Sequence, residues 1–232
     1  MEIILHRIRK AGAAARRINK LNTKKQHATL MLTQMAVLIA VMLVLETTGL
    51  GMLKIGVLEM TILQFPVIVG AMTMGPAAGA GLGLVFGLIS FWECFGKSAF
   101  GATLLGINPF FTFLVCVPTR TLMGYLCGLT YKAVHGALIR GKSAPGQVLK
   151  MVPYVAASLA GALLNTVFFM STLVVLFGST EYIQGFMDAA GTTNPILFIC
   201  WFVGLQGFVE ALLCAFLGTA VSRGVNAVLR QS

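Results

Sequence analysis

The stretch FPVIVGAMTMGPAAGAGLGLVFGLISF, Phe65 to Phe91, holds two apolar segments with one turn signal between them, Gly75-Pro76. Glycine and proline together mark a turn, and proline is favoured in the first turn of the helix that follows. No charged side chain interrupts either segment. The stretch therefore predicts two membrane helices, at residues 57–73 and 76–92, that turn sharply into one another.

The composition of the whole chain agrees with a membrane protein. Of its 232 residues, 57% are hydrophobic and 10% are charged, and the mean hydropathy is +0.88. Because a helix needs about 20 apolar residues to cross a bilayer, the chain is long enough for about six spans. We predict an all-α integral membrane protein with helices at 28–46, 57–73, 76–92, 107–133, 151–177 and 196–222.

The charge distribution predicts the orientation of these spans. Residues 1–25 hold eight of the 17 basic residues, and the 134–150 connection and the C-terminal segment are also basic. The positive-inside rule then puts both termini in the cytosol, and it explains the net charge of +10 without a nucleic-acid partner. We predict a basic cytosolic lead at 1–27, a membrane domain at 28–225 and a cytosolic tail at 226–232. The acids Glu46, Glu59, Glu93, Glu181 and Asp188 lie in or beside the predicted outside connections.

The segment between the first two helices, TGLGMLKIGVLEM, mixes glycines with apolar residues. This pattern suits a short strand or hairpin over a cavity that faces outside, and it suits an ordinary surface loop equally well.

Four polar residues fall at membrane depth, where each needs a partner, a cavity or a ligand. They are Arg120, Asn165, Gln206 and Glu210. At 1.5 Å per residue, Arg120 and Glu210 lie at similar depths, so we predict a structural ion pair between them. Direct substrate contact and proton coupling are the alternatives for this pair. The amides of Asn165 and Gln206 suit a hydrogen-bonding ligand, although such residues also join membrane helices to each other.

Small residues form two stripes at four-residue spacing, which lets helices approach closely. Ala36 and Ala40 belong to a stripe on the first helix, and Gly79, Gly83 and Gly87 form one on the third. We expect the glycine stripe to pack inside the protein. The alanine stripe could meet another helix of this chain or a partner.

Motifs for catalysis are absent from the sequence, including GxxxxGK[ST], HExxH, GxSxG and spacings typical of metal ligands. We therefore predict that the protein is not an enzyme and has no cofactor or metal site. A freestanding channel or secondary carrier is the alternative class of function.

Taken together, residues 28–225 resemble the substrate-binding S components of energy-coupling factor (ECF) vitamin transporters, of the group that includes riboflavin and pantothenate S components. The resemblance rests on Ala36-x-x-x-Ala40, on the 65–91 stretch, on INPFFTFLVCVPTRTLMGYLCGLTYK at 107–132, on AGALLNTVFF at 160–169 and on the Gln206/Glu210 helix. It implies six helices in a prokaryotic plasma membrane and a vitamin site near the outer face. It also implies a membrane coupling subunit that docks on Ala36 and Ala40, and two cytosolic ATPase subunits that supply the energy.

The connection SFWECFGKSAFGATLLGINP, Ser90 to Pro109, lies over that implied site. We expect Trp92 to cover the ligand and Lys97 to meet an acid group, with an interfacial aromatic belt as the alternative. Asn108 should cap the next helix and lies close enough to join the site. Substrate-binding candidates are thus Trp92, Lys97, Asn108, Asn165, Gln206 and Glu210. The outside connections offer the cations Lys54 and Lys97 next to these amides, which favours pantothenate ahead of riboflavin, with other vitamins open.

Overall fold

The computed structural model describes residues 28–49, 52–55, 58–139 and 146–189, and single residues at 26, 191, 194, 197 and 223–224. It contains seven helices and one two-stranded hairpin within these residues. They are α1 (Ala28–Thr47), β1 (Met52–Ile55), β2 (Leu58–Thr61), α2 (Gln64–Met74), α3 (Pro76–Glu93), α4 (Ala99–Ile107), α5 (Pro109–Leu138), α6 (Gln147–Phe177) and α7 (Glu181–Ala189).

Four of these helices are long and apolar enough to cross a membrane: Ala28–Thr47, Pro76–Glu93, Pro109–Leu138 and Val148–Phe177. They match the predicted helices at 28–46, 76–92, 107–133 and 151–177 to within about five residues at each end. The predicted helix at 196–222, the basic lead at 1–27 apart from residue 26 and the tail at 226–232 lie outside the described helical ranges. The structure thus supports an integral membrane protein built on helices.

The predicted second helix, at 57–73, is wrong in its first part. Residues 58–61 form strand β2, and α2 begins only at Gln64. With 11 residues, α2 is about 16 Å long at 1.5 Å per residue, which is about half the thickness of a bilayer core. Strands β1 and β2 pair antiparallel, with Lys54 opposite Glu59 in the register. Of the two alternatives for this segment, the strand is the one that the structure contains.

The chain divides into two compact units, residues 1–37 and 38–232. In the first unit, residues 28–37 are helical, and Leu30, Leu32 and Val37 are exposed. The remainder of α1, from residue 38, belongs to the second unit together with every later element.

Helices α3 and α5 pack backbone to backbone along the glycine stripe of α3. A Cβ atom on Gly79 would meet the carbonyl oxygen of Gly124, and one on Gly83 would meet that of Arg120. A Cβ atom on Gly87 would lie 2.7 Å from the Cα atom of Val117. The order of these contacts makes α3 and α5 antiparallel neighbours. The prediction that this stripe packs internally is confirmed.

The short helices α4 and α7 lie together at one end of the bundle. The Phe100 ring of α4 lies 5.8 Å from the Tyr182 ring and 6.0 Å from the Phe186 ring, both of α7. Leu104 and Ile183 are buried in one cluster with the adjoining ends of α5 and α6. The charge distribution predicts that this end faces outside, so we call α4, α7 and residues 94–98 the outer cap.

Candidate functional site

Lys97 of the outer cap forms an ion pair with Glu46, in the last turn of α1. The Nζ atom of Lys97 lies 2.5 Å from Oε1 of Glu46 and 3.4 Å from the backbone carbonyl oxygen of the same residue. The Lys97 side chain is 57% exposed, whereas that of Glu46 is only 10% exposed. A cation near the last carbonyl groups of a helix is also favoured by the helix dipole. Lys97 is therefore held by two acceptors of one residue and still reaches the surface.

A second acid adjoins this ion pair. Glu93, at the end of α3, is 2% exposed, and its side chain lies next to that of Glu46. The hydrogen bond that Lys97 donates to Glu46 raises the pKa of the lysine above its usual value, so the ammonium stays charged at physiological pH. The end of α1 and the end of α3 thus meet through two carboxyl groups and one ammonium group.

The backbone of residues 94–98 holds Lys97 in this position. The N–H groups of Lys97 and Ser98 each donate to the carbonyl oxygen of Glu93, at 3.0 Å. Gly96 has a φ angle of 137°, which favours glycine, and the Ser98 hydroxyl caps α4 by accepting from the N–H of Gly101 at 3.1 Å. This tight turn fixes the direction in which the lysine projects.

Two aromatic residues beside this turn are exposed. Trp92 is 71% exposed and Phe95 is 63% exposed, and their ring centroids lie 6.1 Å apart. Their position agrees with both uses considered for Trp92, a cover over a ligand and an interfacial aromatic belt.

Asn108 caps the start of α5, as predicted. Its side-chain oxygen accepts a hydrogen bond from the N–H of Phe111 at 3.1 Å, and Pro109 occupies the first helical position. This capping occupies the oxygen, and the side-chain amide N–H groups retain their capacity to donate.

Arg120 lies inside the bundle, where it is 6% exposed. Its NH1 group donates to the carbonyl oxygens of Cys116 at 3.1 Å and Val115 at 3.3 Å. Its guanidinium carbon lies 4.9 Å from the ring centroid of Phe86 on α3 and 5.0 Å from that of Phe169 on α6. Cation–π contacts of this kind lower the cost of burying the charge. Its Nε atom is buried without a hydrogen-bond acceptor among the described residues.

Asn165 lies on α6, one helical turn before Phe169, and is 7% exposed. Its Oδ1 atom is likewise buried without a donor within the described part of the chain. A buried amide oxygen of this kind costs about 1–3 kcal/mol unless a donor reaches it. Gln206 and Glu210 lie outside the described residues, so the predicted ion pair between Arg120 and Glu210 stays a prediction.

A cavity of about 420 Å³ opens between α5 and α6, in the half of the bundle nearer the outer cap. Its polar lining comes from the hydroxyl-bearing residues Thr119, Ser171 and Thr172, and Leu114, Leu122 and Leu176 supply part of the apolar lining. Small-molecule sites typically have volumes of about 300–1,000 Å³ and a mainly apolar lining, so the cavity has the size of such a site.

The predicted site residues thus lie at two levels. Trp92 and Lys97 are at the surface of the outer cap, whereas Arg120 and Asn165 are inside the bundle. Asn108 caps the start of α5, and at 1.5 Å per residue Arg120 lies about 18 Å further along that helix. The prediction did not include Glu46 in the site. In the sequence this acid lies in or beside a predicted outside connection, and the one signal it offers is its position at the end of an apolar helix.

Comparison with known proteins bears on this arrangement. A family model described as "ECF transporter, substrate-specific component" matches residues 30–222, which is most of the chain. The pantothenic acid transporter PanT of Lactococcus lactis subsp. cremoris (strain MG1363) is 28% identical over 181 residues, covering 70% of this chain and 84% of the relative. With four apolar spans among the residues that the structure describes, the chain is a multi-pass membrane protein with a role in transport. It belongs to the family of substrate-specific components of ECF transporters.

Proposed function

We propose that the protein captures pantothenate at the outer face of the membrane for ATP-driven uptake. The main support for this substrate is the ammonium group of Lys97, which is fixed in the outer cap and partly exposed. Pantothenate ends in a carboxylate, and a charge-assisted hydrogen bond to an ammonium is the interaction that such a group needs. The similarity to a pantothenic acid transporter points to the same substrate.

The remainder of the pantothenate molecule carries two hydroxyl groups and an amide. Asn108 keeps its side-chain amide donors for such a group, whereas Asn165, with its buried side-chain oxygen, lies at the deeper level of Arg120. We assign Gln206 and Glu210 to the same task on the basis of the sequence, and Trp92 to covering the ligand. Riboflavin is the next candidate, because exposed aromatic rings at 92 and 95 could stack on its ring system.

Uptake requires partners in this proposal. The partners are a membrane coupling subunit and two cytosolic ATPases, and the docking surface is α1. Ala36 and Ala40 belong to this surface, where the larger apolar side chains of Val37, Val41 and Val44 are exposed. A helix surface of small and apolar side chains suits either lipid or a closely packed partner helix.

Two experiments test this function. Native mass spectrometry of the detergent-purified protein should show a bound species with the mass of pantothenate. A bound species with the mass of riboflavin would instead support riboflavin as the substrate.

The second experiment measures transport in liposomes. The reconstituted protein alone should take up no vitamin, and uptake should appear when the coupling subunit, the ATPases and ATP are added. Uptake by the protein alone would establish the alternative, a freestanding carrier or channel.

A further inference from the structure

We propose that Glu46 is a built-in competitor for the substrate carboxylate, so that an acidic substrate binds by exchanging with Glu46 at Lys97. This inference rests on the proposed function, since it concerns how the same site selects its ligand. Its starting point is that a carboxylate already occupies the position on Lys97 that an acidic substrate would take, with Nζ and Oε1 2.5 Å apart.

Burial distinguishes the two partners of this pair. The Glu46 side chain is 10% exposed and the Lys97 side chain is 57% exposed. A solute arriving from outside therefore reaches the ammonium group before it reaches the carboxylate. An ammonium group has three N–H donors, and Glu46 accepts from Lys97 through two oxygens, Oε1 and the backbone carbonyl. A donor thus remains for a first contact with a substrate carboxylate.

Charge determines whether the first contact leads to exchange. Glu46 and Glu93 both lie next to the ammonium group, so an arriving substrate carboxylate is repelled by the acids already there. Full binding of the substrate is favoured when Oε1 of Glu46 leaves Lys97. The backbone carbonyl oxygen of Glu46 can keep its contact with Nζ, so the lysine need not leave the end of α1.

Only an acid can take part in this exchange. A neutral molecule of the same shape cannot replace the carboxylate of Glu46 on the ammonium without leaving Lys97 poorly paired, so it binds with the pair of Glu46 and Lys97 intact, whereas an acid takes the place of Glu46. Glu46 therefore lowers the affinity for acids and leaves the affinity for neutral molecules unchanged in this proposal.

The test measures dissociation constants of the full-length protein by isothermal titration calorimetry. The ligands are pantothenate and its neutral analogue, in which a hydroxymethyl group replaces the carboxyl group. Replacement of Glu46 by glutamine keeps the shape and removes the competing charge. Because ion pairs at the surface contribute little, Glu46→Gln should bind pantothenate only about 1.4- to fivefold more tightly.

Two further variants separate competition from general electrostatics. Glu181→Gln removes an exposed acid from the first turn of α7, in the same outer cap, and should leave both dissociation constants unchanged. Lys97→Gln should weaken pantothenate binding about tenfold, because a hydrogen bond to a charged group is lost. With Lys97→Gln present, the gain from Glu46→Gln should vanish.

Each contrary result has a definite meaning. If Glu46→Gln leaves pantothenate affinity unchanged or lowers it, or if Glu181→Gln raises it as much, Glu46 does not compete with the substrate. The same conclusion holds if Glu46→Gln strengthens binding of the neutral analogue as much as binding of pantothenate. It also holds if Glu46→Gln strengthens pantothenate binding by the same factor in the Lys97→Gln background. In all these cases wild-type protein still binds pantothenate and the proposed function stands. Wild-type protein that binds a neutral vitamin and no pantothenate would instead refute both.

Discussion

Replacing Gly87 with alanine tests whether the backbone contact between α3 and α5 holds the bundle together. The added Cβ atom would lie 2.7 Å from the Cα atom of Val117 and 2.9 Å from the carbonyl oxygen of Cys116. The first of these distances is about 0.7 Å short of the 3.4 Å at which ordinary contact begins. Both neighbours are backbone atoms, so no side chain can turn aside and the helices must separate. We expect a loss of about 1–3 kcal/mol in the free energy of unfolding, as for other overpacked cores.

The measurement is the thermal unfolding midpoint of the purified protein in one detergent. At roughly 2–4 °C per kcal/mol for a chain of this size, Gly87→Ala should lower the midpoint by about 2–12 °C. Gly136→Ala is the matched control, because Gly136 lies in α5 and a Cβ atom there would have no atom within 4 Å. Alanine is the better helix former, so the control should be neutral or slightly stabilised. Equal midpoints for Gly87→Ala and wild type would show that α3 and α5 are not in backbone contact.

Three further changes test other parts of the molecule. Ala36→Trp should leave vitamin affinity intact and abolish ATP-driven uptake in liposomes, because a large side chain blocks a close helix partner; a loss of vitamin affinity would argue against a docking role. Ser98→Ala removes the cap of α4 and should cost about 1 kcal/mol, seen as a lower unfolding midpoint than for the exposed Ser179→Ala. Exchange of charges between Arg120 and Glu210 should restore the folded yield lost in either single variant; no recovery would refute the pair.

The apolar pattern predicted the long helices well, because spans near 20 residues are set by the thickness of the bilayer. Its failure at residues 58–61 has a local cause. These residues lie directly before the apolar part of α2, and the pairing of residues 58–61 with β1 cannot be read from periodicity alone. The helices α4 and α7 were not predicted from the sequence, because nine residues are too few to show a clear apolar periodicity. Each of these helices packs part of its surface against other elements.

In the candidate site, too, contacts between residues close in sequence were predictable and contacts between distant residues were not. Asn108 was predicted as a helix cap because its partner, Phe111, lies three residues away. The partner of Lys97 is Glu46, 51 residues earlier, and one sequence offers no signal for that pairing. The carbonyl acceptors of Arg120 belong to its own helix, but its aromatic neighbours come from two other helices. Contacts between distant segments depend on packing, which a pattern of residue types does not specify.

The ring contacts of Phe100 with Tyr182 and Phe186 have a consequence for how ligand preference could change in this protein. They join two connections that are far apart in the chain, the one after α3 and the one after α6. If only one of these connections were replaced by that of a relative with another ligand, the new aromatic side chains would face the old ones in the shared cluster and would not pack well. Chimaeras that exchange residues 94–108 and 178–190 together should therefore fold and bind more often than chimaeras that exchange either segment alone.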